Sequence, residues 1–213
     1  FMCFFGSDLV EGPYELKGYL RTQGKRLFEK TTGRYLFHSS EGHIYKFGAL
    51  AKVFALLSPL DIFQGNLPDF EKKGTDYNLW EVKGSFKKHY LVIESWRLEA
   101  PGFRIFASGK IDLLKGKIDV TVLVSPFKAI DSLVGHVPLI GWILTGKSKT
   151  FLAVPVKVRG DLKDPSVFPL DPTTVGAGVL GIIKRTFQLP VKIFVPDKEK
   201  PLVLPPPEGE KEK

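Results

Sequence analysis

The eight residues Gly141-Trp-Ile-Leu-Thr-Gly146-Lys147-Ser148 satisfy the phosphate-loop formula of glycine, four residues, glycine, lysine and serine. That loop holds phosphate on backbone amides and a helix N-terminus, so it needs a buried strand before it and a helix after it. Here the order is reversed. A helical pattern broken by Pro138 comes before and a strand pattern from Phe151 comes after, while Trp142, Ile143 and Leu144 put bulk where backbone would wrap an anion. The segment is expected instead to anchor a helix on a sheet or a lipid, with Lys147 and Lys149 in a solvated turn. His38, His43, His89 and His136 fall in separate segments without the i, i+4 spacing or clustered carboxylates of a zinc site. Cys3 stands at the start of the chain, and no serine occupies a glycine-x-serine-x-glycine elbow. Asp119, Asp131, Asp161 and Asp164 fall on a strand face, a helix and a turn, in ordinary solvent-facing slots. Neither a catalytic residue nor a cofactor is expected.

The 213 residues are enough for one domain, and 43% hydrophobic with 25% charged residues is an ordinary globular composition that supports a sizeable core. A single cysteine excludes an internal disulfide framework and a multi-thiolate metal site; it fits a reducing compartment or an envelope protein that avoids thiols. The net charge of +8 raises the question of nucleic acid. The lysines are scattered, with no five-residue basic run and no aromatic-glycine ribonucleoprotein motif, so no nucleic-acid partner is expected. A positive face toward anionic headgroups or other polyanions is the better reading of the charge. The longest apolar stretch, Val134 to Leu144, is interrupted by His136, Pro138 and Gly141 and is too short to span a bilayer as a helix. The opening Phe-Met-Cys-Phe-Phe has no basic n-region and no small-residue cleavage site, as in a C-terminal piece of a longer protein.

The elements that must position any site are mostly strands. The 21 glycines and 16 prolines fall between short apolar runs. From Phe1 to Tyr45 the alternation of Tyr14, Leu16, Gly18 and Leu20 with polar neighbours predicts a meander, with turns at Gly12-Pro13, Gly24, Gly33 and Glu41-Gly42. Strands return from Tyr77 to Ser125, with breaks near Gly84, Pro101-Gly102 and Lys115-Gly116. Phe103, Ile105, Ala107, Gly109, Ile111 and Leu113 share one face, opposite Arg104, Phe106, Ser108, Lys110 and Asp112. Ile118, Val120, Val122 and Val124 likewise oppose Asp119, Thr121 and Leu123. Such alternation predicts a half-buried antiparallel sheet with a water-facing outer side. Phe151 to Arg159 is a further strand, with Leu152, Val154, Val156 and Val158 on its apolar side and Pro155 arguing for an edge position.

Phe47, Leu50, Phe54 and Leu57 recur at helical steps before Pro59, which predicts a short helix buried on most of its circumference. Two short helices are expected over Phe127 to Leu144 and another over Thr173 to Gln188, whose glycines weaken it in isolation. Asp161 to Pro165 reads as a turn. Residues 196–213, rich in proline and charge, are expected to form a disordered tail after a folded region spanning residues 1–195.

The runs Gly109-Lys-Ile-Asp-Leu113, Lys117-Ile-Asp-Val-Thr-Val-Leu-Val-Ser-Pro126, Ile130-Asp-Ser-Leu-Val134, Val137-Pro-Leu-Ile-Gly141 and Val154-Pro-Val-Lys-Val-Arg-Gly-Asp-Leu-Lys-Asp-Pro165 come in an order that resembles the C-terminal region of the bacterial AsmA-like envelope proteins. YhdP and TamB belong to the same broad group. Glu41-Gly-His-Ile-Tyr45 leading into the helix from Gly48 to Leu57 fits as well, and the resemblance covers roughly residues 1–195 through many degenerate apolar matches. It implies a mainly β fold with a few helices: a curved antiparallel sheet forming an open groove, capped or filled by short amphipathic helices. It also implies a periplasmic body anchored in the inner membrane by an N-terminal helix that precedes this chain. Its partners would be phospholipid acyl chains, the inner and outer membranes, and outer-membrane or periplasmic proteins. On that reading Phe103, Ile105, Ile118, Val120, Val122, Val124, Leu152, Val154, Val156 and Val158 line or floor the groove. The same residues would form an ordinary core between sheet and helices, because alternation does not separate the two. The other function class is a structural or assembly factor for outer-membrane proteins, and a conduit differs from it in having an apolar trough open at one end.

Overall fold

In the computed structural model the described residues are 10–23, 30–45, 48–57, 74–126, 144–145 and 152–171. They form twelve strands and one helix. In chain order these are β1 (Val10–Glu11), β2 (Glu15–Thr22), β3 (Thr31–Ser39), β4 (Gly42–Ile44), α1 (Gly48–Leu57), β5 (Thr75–Tyr77), β6 (Leu79–Lys87), β7 (Tyr90–Ala100), β8 (Phe103–Asp112), β9 (Lys117–Pro126), β10 (Leu144–Thr145), β11 (Leu152–Asp161) and β12 (Pro165–Pro169). The main sheet runs β10-β11-β9-β8-β7-β6-β3-β2, every neighbouring pair antiparallel, with β12 also paired to β11. It does not close on itself. A small sheet, β1-β4-β5, adjoins it, fastened where Ser39 and Tyr77 share a 2.7 Å hydrogen bond and where Asn78 N–H donates to Glu99 O at 2.8 Å.

The alternation read from the sequence sets the register. Ile105 faces Val124, Ala107 faces Val122 and Gly109 faces Val120, and on the other side of β9 Val154, Val156 and Val158 face Val124, Val122 and Val120. Side chains of successive strands therefore stack in rows on one face, and that face carries the core. α1 lies on the same core, burying Leu50, Val53, Phe54 and Leu57 at helical spacing. Phe54 meets the Phe103 ring edge-on at 4.8 Å, and Lys52 Nζ pairs with Asp164 and donates to Pro165 O at 2.9 Å.

Four local expectations are corrected. Gly84 is not a break, because it lies inside β6; the chain turns at Lys88, whose φ of 57° is left-handed. Gly84 instead lets a neighbour approach: a Cβ there would overlap Oη and Cζ of Tyr35 and the carbonyl oxygen of Val92. Gly33 is likewise within a strand, opposite Leu20 on one side and Phe86 on the other. Pro155 does not mark an edge. β11 is flanked by β9 on one side and by β10 and β12 on the other, and Pro155 falls in the gap between the stretches that pair with β10 and with β12. An absent N–H costs no ladder bond in that gap, while its carbonyl accepts from Leu170 N at 2.9 Å. Finally, the outer side of β8 and β9 is not simply water-facing. Phe106 and Leu123, paired in register, are both 0% exposed, so both faces exclude water there.

The expected helices at 127–144 and 173–188, the tail at 196–213 and Cys3 lie outside the described residues, apart from Leu144 and Thr145. Those two form strand β10 in the middle of the phosphate-loop formula, where a wrapped loop would be required.

Candidate functional site

Among the described residues, the apolar face of the main sheet is the candidate surface for a ligand. Of the ten positions singled out in the sequence, eight have described side chains deep within it: Phe103, Ile105, Val120, Val122, Val124, Val154, Val156 and Val158 are each 3% exposed or less. Ile118 is partly buried against the same cluster. Leu152 opens β11 opposite Thr145. The structure thus gathers these residues on adjacent strands β8, β9 and β11, packed by the protein's own side chains. On β8 and β9 the charged residues Arg104, Lys110, Asp112, Lys117 and Asp119 all alternate onto the opposite face.

Towards β2 the same face changes character. Leu16, Gly18 and Leu20 stand opposite Phe37, Tyr35 and Gly33 and so continue the apolar side outward. Yet Leu16 is 52% and Leu20 48% exposed. Between the filled and the open part runs a series of rings: Tyr14 on Phe37 at 5.9 Å, Phe37 on Trp80 at 5.4 Å, Trp80 on Trp96 at 6.3 Å. Such contacts between aromatic quadrupoles hold the strands in register and leave a firm apolar surface. The Trp80 indole nitrogen is buried without a hydrogen-bond partner in that series. Sequence reading named the filled part and missed the open one. Leu16 and Leu20 alternate as clearly as Val120 and Val122, and pattern alone does not say which strand lacks a covering layer.

On the opposite face a polar group sits across β7 and β8. Glu99 Oε1 accepts from Arg97 Nη2 at 2.5 Å and Nε at 3.1 Å, and lies 3.2 Å from Arg104 Nε. Burial pulls the Arg104 guanidinium below its ordinary range; Glu99 opposes that shift and Arg97 adds to it.

The three described histidines each face one carboxylate. His43 Nδ1 is 2.7 Å from Asp76, His89 Nε2 is 3.7 Å from Asp112 and His38 Nδ1 is 4.0 Å from Glu81. Among the described residues no group of three or more histidine, cysteine or acidic side chains could hold a metal ion, and no helix is long and apolar enough to cross a membrane. Asp119 pairs with Lys157, and Asp161 caps its own turn by accepting from Lys163 N at 3.0 Å.

No protein-family model, curated protein or solved structure matches the chain.

Proposed function

We propose that the chain is a non-enzymatic lipid-transfer module, the C-terminal part of an AsmA-like protein anchored in the inner membrane and standing in the periplasm. On this reading the sheet is an open groove, α1 caps its filled end, and phospholipid acyl chains moving between inner and outer membranes lie along its apolar face. One observation supports it above the others: the uncharged face is filled by side chains at β8, β9 and β11 and exposed at Leu16 and Leu20 on β2. Acyl chains need no catalysis to be carried. They need a surface that replaces the cost of hydrating them, about 0.8 kcal/mol per methylene, and strand alternation provides one.

The exposed positions offer a test that core substitutions do not. Leu16→Asp with Leu20→Asp places charge on the open part without burying it, so the fold is expected to survive. Native mass spectrometry with lipid extraction on protein from bacterial envelopes, beside an unrelated periplasmic protein of similar size, should show stoichiometric phospholipid on the parent chain. The double variant should lose it. Equal lipid on the variant, or none on the parent, would count against the groove.

A second reading, a structural or assembly factor contacting outer-membrane proteins, is favoured by the packing of Phe103, Val122 and Val156 to 2% exposure or less. A lipid-free parent chain in the same experiment would make that reading the better one.

A further inference from the structure

The register brings three described turns to one end of the main sheet. Thr22 pairs with Thr31, Thr32 with Lys87, Lys87 with Tyr90, Tyr90 with Asp112, Asp112 with Lys117, Lys117 with Asp161 and Gly160 with Pro165, in one line across the strands. Consequently the turns after β6, β8 and β11 all project the same way. This end is basic: Lys87, Lys88, Lys115, Lys117 and Lys163 are all exposed on it. Its carboxylates are occupied. Asp112 is buried and accepts from the amides of Leu114 and Lys115 at 3.1 and 3.0 Å. Asp161 accepts from Lys163 N and lies 3.5 Å from Lys117 Nζ, and Asp164 is paired with Lys52. At the other end of the strands cations and carboxylates are matched, Lys17 with Glu15 and both Arg97 and Arg104 with Glu99.

At the tip of the β8–β9 turn, among these lysines, stands Leu114, 59% exposed, the highest among the exposed large apolar side chains of the described residues. It is held there by construction. The Asp112 carboxylate ties down the amides of Leu114 and Lys115, and Gly116 closes the turn at φ 59°, a left-handed conformation that glycine adopts without penalty. Leu113, next to it, packs inward on the core. An apolar tip flanked by cations on the neighbouring turns meets the two requirements of an interfacial anchor: attraction to anionic headgroups and a side chain that gains by leaving water. A polyanion such as nucleic acid would use the lysines but offer nothing to Leu114.

We propose that this turn end is a docking surface for an anionic bilayer, with Leu114 entering the headgroup boundary and Lys87, Lys88, Lys115 and Lys163 contacting lipid phosphates. The proposal goes beyond lipid carriage and does not depend on it, because it concerns a different surface from the apolar face. It is tested on the full chain by sedimentation with vesicles of phosphatidylcholine doped with phosphatidylglycerol, beside vesicles of phosphatidylcholine alone. Binding is expected only to the doped vesicles and should weaken with added salt. Lys88→Gln with Lys115→Gln should weaken it about 25-fold, at about fivefold per lysine near such a surface. The charge-matched pair Lys17→Gln with Lys83→Gln, away from the turns, should weaken it far less. Leu114→Ser should weaken binding severalfold with an unchanged thermal midpoint. Equal losses from the two lysine pairs would reduce the effect to net charge and overturn the proposal. So would indifference to Leu114→Ser, accompanied by heparin binding with the same lysine dependence, which would mark a site for soluble polyanions.

Discussion

Tyr35 shows how one side chain knits three strands. It stands on β3 opposite Gly84 of β6, and because Gly84 has no side chain its ring passes over that residue to donate to Val92 O of β7 at 3.1 Å. Burial pushes the phenol well above its ordinary value of 10.0, and Glu94 adds to the shift. The folded protein therefore holds this proton more tightly than the unfolded chain does. Its contribution to stability is complete below pH 10 and declines as the pH rises above it. Thermal melts between pH 8 and 11 should show an alkaline loss of stability that is shallower in Tyr35→Phe. At neutral pH that variant should lose about 1 kcal/mol, the net worth of one hydrogen bond. An alkaline limb identical in the two proteins would place the titration elsewhere. Nothing in the sequence announced this arrangement. Gly84 reads as punctuation because glycine usually is, and only the register reveals a ring lying across it.

At the scale of elements, α1 is held by its apolar side rather than by its ion pair. Gly-Ala-Leu-Ala-Lys-Val-Phe-Ala-Leu-Leu has no acidic residue in its first turn and no basic residue in its last, so little favours this helix in isolation. Phe54 fits against Phe103, whereas the Lys52–Asp164 pair is largely open to solvent. Phe54→Ala should cost about 3–5 kcal/mol, and Lys52→Ala below about 1 kcal/mol, as read from urea unfolding midpoints. A larger effect from Lys52 would make the tether the controlling contact.

Elements were the most legible scale. The helix from Gly48 and the turns at Pro101-Gly102, Lys115-Gly116 and Asp161–Pro165 stand where period and turn chemistry put them, because those signals are local. Pro155 misled for the converse reason: a missing N–H constrains one side of a strand at one residue, and the two short partners β10 and β12 leave that residue uncovered. Eight of the ten candidate positions lie buried on one face, on the side their alternation gave them. Whether alternation serves a core or a groove depends on the layer above it, which no strand encodes alone.

For the whole molecule, burial is graded across the sheet. At their middle β8 and β9 exclude water on both sides, through Ile105 and Val122 on one face and Phe106 and Leu123 on the other, while β2 exposes Leu16 and Leu20 and has no outer neighbour among the described strands. Strand edges of this kind offer unpaired backbone groups, and local opening is easiest where few apolar contacts must be broken. Native-state hydrogen exchange should therefore show amides of β8 and β9 exchanging only through global unfolding. Those of β2 should exchange through local fraying, with protection rising through β3, β6 and β7. This gradient bears directly on the proposed groove, since an acyl chain lying along Leu16 and Leu20 covers side chains but supplies no hydrogen bonds to the strand edge. Added lipid should therefore slow exchange by damping the fraying of β2 while leaving β9 unchanged. Protection of β2 equal to that of β9 in the lipid-free chain would mean that another strand already pairs with it, and the face beside it would then be the interior of a larger sheet rather than an opening.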